Sequence, residues 1–421
     1  MVNNSIFKTN FRVNYFLIFI IFLSFFMSPI ISFLLSILYI GLIKQPSRLV
    51  SILAGFSLGF PALYYVPLST DDASRIFRVM QSLRLTPVSN LENWLNLWAP
   101  DYKNYPIFTG SMYVIARFFQ DDVLPFIVAG VSYSVIIYFV YRFSYSFKLS
   151  NWGRFLTLFA SVVWIAYLEL ISGMRFTLAC CIAILIIQSE FITNDRTGIK
   201  SILHWLLFLI PILIHPGVLL ILFPIGIYVL LSQKDIYSKF LIFVLVVAFI
   251  GYVITSYVLH MIFLTMLVSK FVVYQTTTFA YVTSTQRIVH VVVAFGIVFF
   301  SLLISNFEKK RSGSSLVNGV ADRLFKINIL YFILMLVMLM SINMEVRIIS
   351  VMPILAITGI SIYFSDSSSS DRNGSESIIV SMILISIIIA GLLYNFNVRN
   401  IDFNNIQWLF PFMSSVNVIW A

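Results

Sequence analysis

Long apolar runs separated by short polar connections dominate the pattern along the chain. Within a run, Ile, Leu, Phe and Val follow one another without the polar and apolar alternation of a half-buried strand. In lipid, backbone polar groups are satisfied only within helices or closed barrels, so continuous runs predict transmembrane helices. The predicted spans are residues 15–27, 30–43, 49–66, 124–143, 155–171, 175–192, 202–214, 217–231, 240–263, 288–305, 324–342, 347–364 and 378–394.

These runs predict an all-α fold. We expect a polytopic integral membrane bundle of about 11–14 transmembrane helices, forming one transmembrane domain over residues 1–421. Composition supports this interpretation, because 60% of the residues are hydrophobic and only 10% are charged. Water-soluble domains carry about 25% charged residues. The composition therefore excludes a water-soluble enzyme.

Basic residues set the predicted orientation, since Lys and Arg favour the cytoplasmic side of a membrane. They flank the first apolar stretch on both sides, at Lys8, Arg12, Lys44 and Arg48. The stretch is therefore predicted to turn back as a hairpin near Ser28-Pro29. Every second later connection is also basic, which places those connections in the cytoplasm.

Two of the connections are predicted to be loops of distinct character. Residues 67–123 are predicted to form a periplasmic loop, and the Ser- and Asp-rich residues 365–377 a flexible cytoplasmic loop. The net charge of +10 is explained by topology, because the longest basic block, residues 309–311, lies between apolar segments. We therefore expect no nucleic-acid partner. Cys180 and Cys181 are neighbours in an apolar run and are predicted to be buried and free.

Charged residues on the predicted outer side are candidates for function, because basic residues there oppose the usual bias. The candidates are Asp71, Asp72, Arg75, Arg78, Arg175, Arg287, Arg347 and His215. Arg175, Arg287 and Arg347 lie at or near predicted helix starts, where guanidinium and backbone N–H groups together suit phosphate or pyrophosphate oxygens. The simpler role for any one of these arginines is an anchor at the membrane boundary. Arg75 and Arg78 fit equally a solvated face of a short helix over residues 71–83.

His215 lies in a helix break made by Pro216 and Gly217. There it can accept a proton, donate a hydrogen bond, or serve only as a structural cap. Asp71 and Asp72 can supply a general base or bind sugar hydroxyls, and the alternative is an N-cap for the next helix. His204, His260 and His290 show no metal-ligand spacing, so we predict no metal site and no cofactor.

The order of five short motifs resembles the EpsG-type branch of bacterial polysaccharide polymerases, which is similar in role to the Wzy O-antigen polymerases. The motifs are Thr70-Asp71-Asp72, Tyr105-Pro106-Ile107-Phe108, Gly173-Met174-Arg175, Ile214-His215-Pro216 and Glu345-Val346-Arg347. Members of that group tend to have Gly before the first motif and Arg-Gln at the helix start. This chain has Ser69 and Arg175-Phe176 there.

The resemblance implies a glycosyltransferase at the periplasmic face of the bacterial inner membrane. It would move a growing O-antigen or exopolysaccharide from undecaprenyl pyrophosphate to the next lipid-linked repeat unit, without a metal. The implied partners are the lipid-linked oligosaccharide, membrane lipid and a chain-length regulator protein. We assign His215, Asp71 and Asp72 to catalysis, and the pyrophosphate to Arg175, Arg347, Arg287, Arg75 and Arg78.

Two other functions share parts of this pattern. A flippase for lipid-linked oligosaccharides would also be an apolar bundle, although paired broken helices in two halves of the chain, common in transporters, are not found. A polyprenyl-linked-sugar glycosyltransferase or O-antigen ligase would share the donor chemistry, and Asp71-Asp72 leaves that alternative open.

Overall fold

A computed structural model describes residues 3–43, 47–67, 69, 71–192, 206–232, 284–311, 315–338, 349, 351–365 and 374–395. The first eight helices are α1 Asn3–Met27, α2 Pro29–Leu42, α3 Arg48–Gly59, α4 Asp72–Leu85, α5 Leu91–Trp98, α6 Pro106–Phe118, α7 Val123–Ser146 and α8 Asn151–Trp164. They are followed by α9 Tyr167–Ile171, α10 Met174–Ile192, α11 Leu209–Ile214, α12 Leu219–Ser232, α13 Ser284–Arg311, α14 Ser315–Met338, α15 Pro353–Ser361 and α16 Gly374–Asn395. Within these ranges no strand forms, and the all-α prediction is confirmed.

Among the described residues, three helices are long and apolar enough to cross a membrane: α7, the Ile288–Arg311 part of α13, and α16. Large apolar side chains project outward from two of them, including Phe299 on α13 and Ile379 on α16, which are 51% and 58% exposed. Apolar faces of this extent are unfavourable in water but compatible with lipid. Shorter apolar helices include α2, Met174–Ser189 within α10, and Pro353–Phe364.

Helices α3 and α7 cross at very short range. Gly55 and Gly59 of α3 face Ser134 and Gly130 of α7, and a Cβ atom on Gly55 would lie 2.3 Å from the Ser134 backbone nitrogen. Small residues four positions apart allow the backbones of two helices to approach this closely. The Ser134 hydroxyl donates to the Gly130 carbonyl at 2.6 Å, so its own polar group is satisfied inside the contact.

This crossing also supports the short helix α9, which leads to the candidate site. The Tyr167 ring at the start of α9 stacks on Tyr133 of α7 at 6.2 Å, and its hydroxyl donates to the Gly59 carbonyl at 3.4 Å. Asn395 at the end of α16 accepts from the Tyr167 N–H at 2.7 Å and donates to the Val163 carbonyl at 2.8 Å. The α8–α9 junction is thus held from two sides.

The predicted loop over residues 67–123 folds largely as helices α4, α5 and α6. Arg84 near the end of α4 ties these helices together, because its Nε donates to the Ala116 carbonyl at 2.9 Å and it pairs with Asp121 at 2.9 Å. Arg117 of α6 donates to the Thr86 carbonyl just after α4. The segment is therefore a packed layer and not an open chain.

Several helix and loop boundaries predicted from the sequence can be compared with those in the structure. The predicted turn at Ser28-Pro29 is where α1 ends and α2 begins. Arg287 lies within the first turn of α13 and does not precede it, because that helix starts at Ser284. Ser365, predicted as loop, pairs with Leu149, and residues 374–377 form the first turn of α16. The predicted span 240–263 lies outside the described residues.

The α3–α7 crossing predicts a matched pair of substitutions. Gly55→Val adds side-chain atoms where none fit, and overpacking of this kind destabilises by about 1–3 kcal/mol. Gly41→Val is the control, since a Cβ at Gly41 in α2 meets nothing within 4 Å. Thermal unfolding of the purified proteins in detergent should show a lower melting temperature for Gly55→Val only. Equal melting temperatures would contradict the close crossing.

Candidate functional site

The start of α10 forms one wall of the candidate site. Helix α10 begins at Met174, immediately after Ser172 and Gly173, so Arg175 lies in its first turn as the sequence predicts. A Cβ atom on Gly173 would lie 2.8 Å from Glu169 Oε2 and 3.0 Å from the Glu169 carbonyl oxygen. Only glycine therefore fits in this turn without displacing Glu169. The turn brings the N-terminal N–H groups of a helix, which attract anions, next to a guanidinium group.

Aromatic rings surround the Arg175 guanidinium. Its Cζ lies 4.4 Å from the centre of the Tyr105 ring, 5.0 Å from that of Tyr102 and 6.0 Å from that of Phe108. Cation–π contacts of this kind are worth about 0.5–2 kcal/mol each. In the described part of the chain the guanidinium has neither an ion pair nor a hydrogen bond. The rings therefore position the cation and leave its N–H donors available.

His215 joins the same group through Tyr105. Their rings stack at 5.2 Å with an interplanar angle of 14°, and Phe176 contacts His215 edge-on at 5.5 Å. His215 separates α11 from the short 3-10 helix Pro216–Val218, which confirms the predicted helix break. Its Nδ1 accepts the Gly217 N–H at 3.0 Å. In the neutral ring the proton therefore lies on Nε2, which makes that atom a hydrogen-bond donor.

A small cavity collects three of the predicted site residues, Asp72, Arg175 and His215. The other lining residues are Ile76, Ser172, Gly173 and Phe176. Helices α4 and α10 and the α11 break thus meet at one point, although these residues are far apart in the sequence. The cavity holds about 10 Å³, roughly the volume needed for one water. A larger ligand enters only when the lining side chains move apart.

The two aspartates of the first motif have different environments. Asp72 lines the cavity and pairs with Arg75 at 3.3 Å, and Arg75 is largely exposed. Asp71 is buried and accepts a hydrogen bond from the Tyr65 hydroxyl at 2.7 Å. It occupies the N-cap position of α4, but its side chain makes no capping hydrogen bond. The structure thus brings Asp72 to the site and ties Asp71 to Tyr65, which lies before α4.

Of the remaining predicted arginines, Arg78 is not part of the cavity lining, and the side chains of the other two are not described. Arg78 is exposed on α4, where its Nε donates to the Ser74 carbonyl at 3.4 Å. Arg287 belongs to the first turn of α13, and its side chain is outside the described part. Arg347 and its neighbour Glu345 are likewise outside the described residues. The assignment of Arg287 and Arg347 to pyrophosphate therefore stays a prediction.

Tyr102 is a site residue that the sequence motifs did not single out. It is 4% exposed, and its hydroxyl has no hydrogen-bond partner in the described residues. Burial raises the pKa of the Tyr102 hydroxyl, while Arg175 and Arg75 act in the opposite direction. The hydroxyl therefore stays protonated at neutral pH and is a donor. The sequence signal for Tyr102 was that it and Tyr105 are two tyrosines just before α6. That both rings contact Arg175 depends on the tertiary fold.

Comparison with known proteins identifies no relative. No protein-family model matches the chain, and neither a curated protein nor a solved structure is significantly similar to it. In the described ranges no group of three or more His, Cys, Asp or Glu side chains is placed to hold a metal ion. The functional assignment therefore depends on the chemistry of the site.

The ring contacts predict that Tyr105 holds the site together. Tyr105→Leu keeps an apolar side chain but loses the contacts to Arg175 and His215, which should destabilise by about 1–3 kcal/mol. Tyr105→Phe keeps the ring and should melt close to wild type. Tyr145→Leu, at a half-exposed tyrosine of α7, is the control. A Tyr105→Leu protein as stable as the Phe variant would show that the ring contacts contribute nothing.

Proposed function

We propose that the chain is a polytopic inner-membrane glycosyltransferase, similar to the EpsG-type and Wzy-type polymerases, that polymerises lipid-linked oligosaccharide repeat units. The observation that carries the proposal is the state of Arg175. Its guanidinium is held by aromatic rings at a helix N-terminus, without an ion pair in the described residues, beside Asp72 and His215. A cation fixed in this way, with a base and a donor next to it, suits a phosphorylated donor.

A pyrophosphate group suits the hydrogen-bond donors that surround the site. A guanidinium that lies over aromatic rings keeps its N–H groups at the edge of its plane, where they bind two phosphate oxygens. The start of α10 adds backbone N–H groups with the positive end of the helix dipole. The buried Tyr102 hydroxyl and the His215 Nε2–H are further donors close by. An anion with several oxygens can accept hydrogen bonds from several of these groups at once.

The proposed reaction is a glycosyl transfer. The hydroxyl oxygen of the acceptor sugar attacks the anomeric carbon of the growing glycan. The bond from that carbon to the lipid pyrophosphate breaks, and the pyrophosphate leaves with the electron pair. Asp72 accepts the hydroxyl proton, and Arg175 neutralises the charge on the leaving group. General base assistance of this kind contributes about 10²- to 10⁴-fold.

His215 is assigned the role of donor in this mechanism. The sequence left open whether it accepts a proton or donates a hydrogen bond. Because Nδ1 accepts the Gly217 N–H, the proton of the neutral ring lies on Nε2, and this atom can donate to a phosphoryl oxygen. Asp72 is the carboxylate in the cavity, whereas Asp71 is bound to Tyr65. We therefore assign the base to Asp72.

Opening of the site is part of the proposal, because the cavity holds only about one water. One wall is Asp72 and Ile76 of α4, and the other is the start of α10. Movement of the layer α4 to α6 would admit the donor, and its return would exclude water from the anomeric carbon. Exclusion of water protects a reactive donor from hydrolysis.

The cellular setting follows the same proposal. We place the site at the periplasmic face of the bacterial inner membrane, with the basic end of α13 in the cytoplasm. The partners would be undecaprenyl-pyrophosphate-linked oligosaccharide, membrane lipid and a chain-length regulator. The product would be O-antigen or an exopolysaccharide.

Arg175 provides the main test. Arg175→Ala and Arg175→Lys should both lose binding of purified lipid-linked repeat units, since lysine keeps the charge but loses the planar fork. Arg142→Ala is the control, because Arg142 is a partly exposed arginine near the end of α7, outside the cavity lining. In cells, a polymerase defect should leave single repeat units on the acceptor in place of a ladder. Complete loss of repeat units would indicate a flippase or a ligase.

Variants of Asp72 and His215 should differ from variants of Arg175 in which step they impair, donor binding or glycosyl transfer. Asp72→Asn removes the base, so donor binding should persist while the transfer rate falls by about 10²- to 10⁴-fold. His215→Ala should also retain donor binding but transfer more slowly. Glu92→Gln, at an exposed carboxylate of α5, controls for loss of charge in this layer. An unchanged rate in Asp72→Asn would assign the base elsewhere.

A further inference from the structure

A second and larger cavity lies between α13 and α16, against Trp164 at the end of α8. Its volume is about 350 Å³. A water molecule occupies about 30 Å³ in the liquid, so this space is far larger than a packing defect. Its size lies within the range of small-molecule and cofactor pockets.

The lining of this cavity is almost entirely apolar. The residues are Trp164, Val289, His290, Val293, Ser386, Ile389, Ala390, Gly391, Leu393 and Tyr394. Three of them, Val289, Ile389 and Leu393, are 54%, 52% and 64% exposed, so the cavity opens sideways from the two helices. Apolar cavities exclude water. An occupant that enters from the side of a membrane helix and suits such a lining is a hydrocarbon chain.

Besides the rings of Trp164 and Tyr394, two polar side chains line the cavity: Ser386, whose hydroxyl donates to the Met382 carbonyl at 2.9 Å, and His290. Its side chain is 8% exposed, and its Nε2 has no hydrogen-bond partner in the part of the chain that the structure describes. The ring contacts Trp164 edge-on at 4.7 Å and Tyr394 at 4.0 Å. A buried polar atom without a partner is unfavourable. The occupant should therefore bring one hydrogen-bonding group to this point.

The depth of His290 identifies that group. Lys309, in the basic end of α13, follows His290 by 19 residues, which is about 28 Å of helix. The hydrocarbon core of a bilayer is about 30 Å thick. Arg311 at that basic end pairs with Glu376 at 2.6 Å, so α16 starts at the same level. His290 therefore lies at the opposite boundary of the hydrocarbon, where phospholipid ester groups are found.

We propose that this cavity binds one diacyl glycerophospholipid of the outer leaflet. One acyl chain fills the space between α13 and α16, and its ester carbonyl accepts a hydrogen bond from the N–H of the His290 imidazole. The proposal rests on the membrane placement proposed above but is independent of the transferase chemistry. An isoprenoid chain is the less suitable occupant, because it carries no carbonyl to satisfy His290.

The test compares an ester lipid with its ether analogue. Delipidated protein is reconstituted into vesicles of phosphatidylethanolamine and phosphatidylglycerol that contain either diester or dialkyl-ether lipid. Lipid retained after extraction in mild detergent is counted by native mass spectrometry. Wild type should retain one diester lipid about tenfold more tightly than the ether analogue, and His290→Phe should abolish this difference while remaining folded.

A second pair of variants tests the location. Val293→Trp fills the cavity and should remove the retained lipid, whereas Val292→Trp, at a 63% exposed position outside the lining, should keep it. Equal retention of ester and ether lipid by wild type would overturn the proposal, as would retention of polyprenyl phosphate in place of the diester when both are present in the vesicles. Because the ester and ether comparison uses wild-type protein, it decides even if Val293→Trp fails to fold. Donor binding by Arg175 variants is measured separately, so failure of the transferase proposal leaves a different signature.

Discussion

The Tyr105 ring contacts both the Arg175 guanidinium and the His215 imidazole, and the candidate site depends on this double contact. Without it, Arg175 and His215 would share no ring, and the start of α10 would keep the edge-on contact of Phe176 with His215 at the break after α11. A neutral ring is the partner that lets a partly buried arginine keep its N–H donors, because a carboxylate would occupy them. This choice of partner is what makes Arg175 available to an anion from outside the protein.

The rest of the fold supplies a rigid frame for that contact. The close crossing of α3 and α7 fixes Tyr167, and Asn395 holds the junction before it, so the turn that starts α10 has little freedom. The layer α4 to α6 carries Asp72 and Tyr105 on the other side of the cavity. In the proposed mechanism, the binding energy of the lipid-linked donor would move that layer away from the start of α10.

Much of the secondary structure follows from the sequence, because helix breaks at Pro and Gly and apolar runs are local signals. The starts of α2 and α10 and the break at His215 were predicted in this way. Arg154 shows the limit of prediction from local signals. Its position in the sequence indicates one more cytoplasmic charge, but the residue is 2% exposed and its guanidinium donates to the Ile40 carbonyl. Tyr102 shows the same limit at the site. Which tyrosine faces an arginine 73 positions later is set by the packing of α6 against other helices, which no local pattern reports.

The central claim is that Arg175 binds the pyrophosphate of the lipid-linked donor. The most direct measurement is a cryo-electron microscopy structure of the full chain in a lipid nanodisc with a lipid-pyrophosphate-linked repeat unit bound. The account predicts phosphate density within hydrogen-bond distance of the Arg175 guanidinium and the His215 Nε2, with α4 displaced from the start of α10. Phosphate density elsewhere, with Arg175 still enclosed by Tyr102 and Tyr105 and the cavity closed, would contradict it.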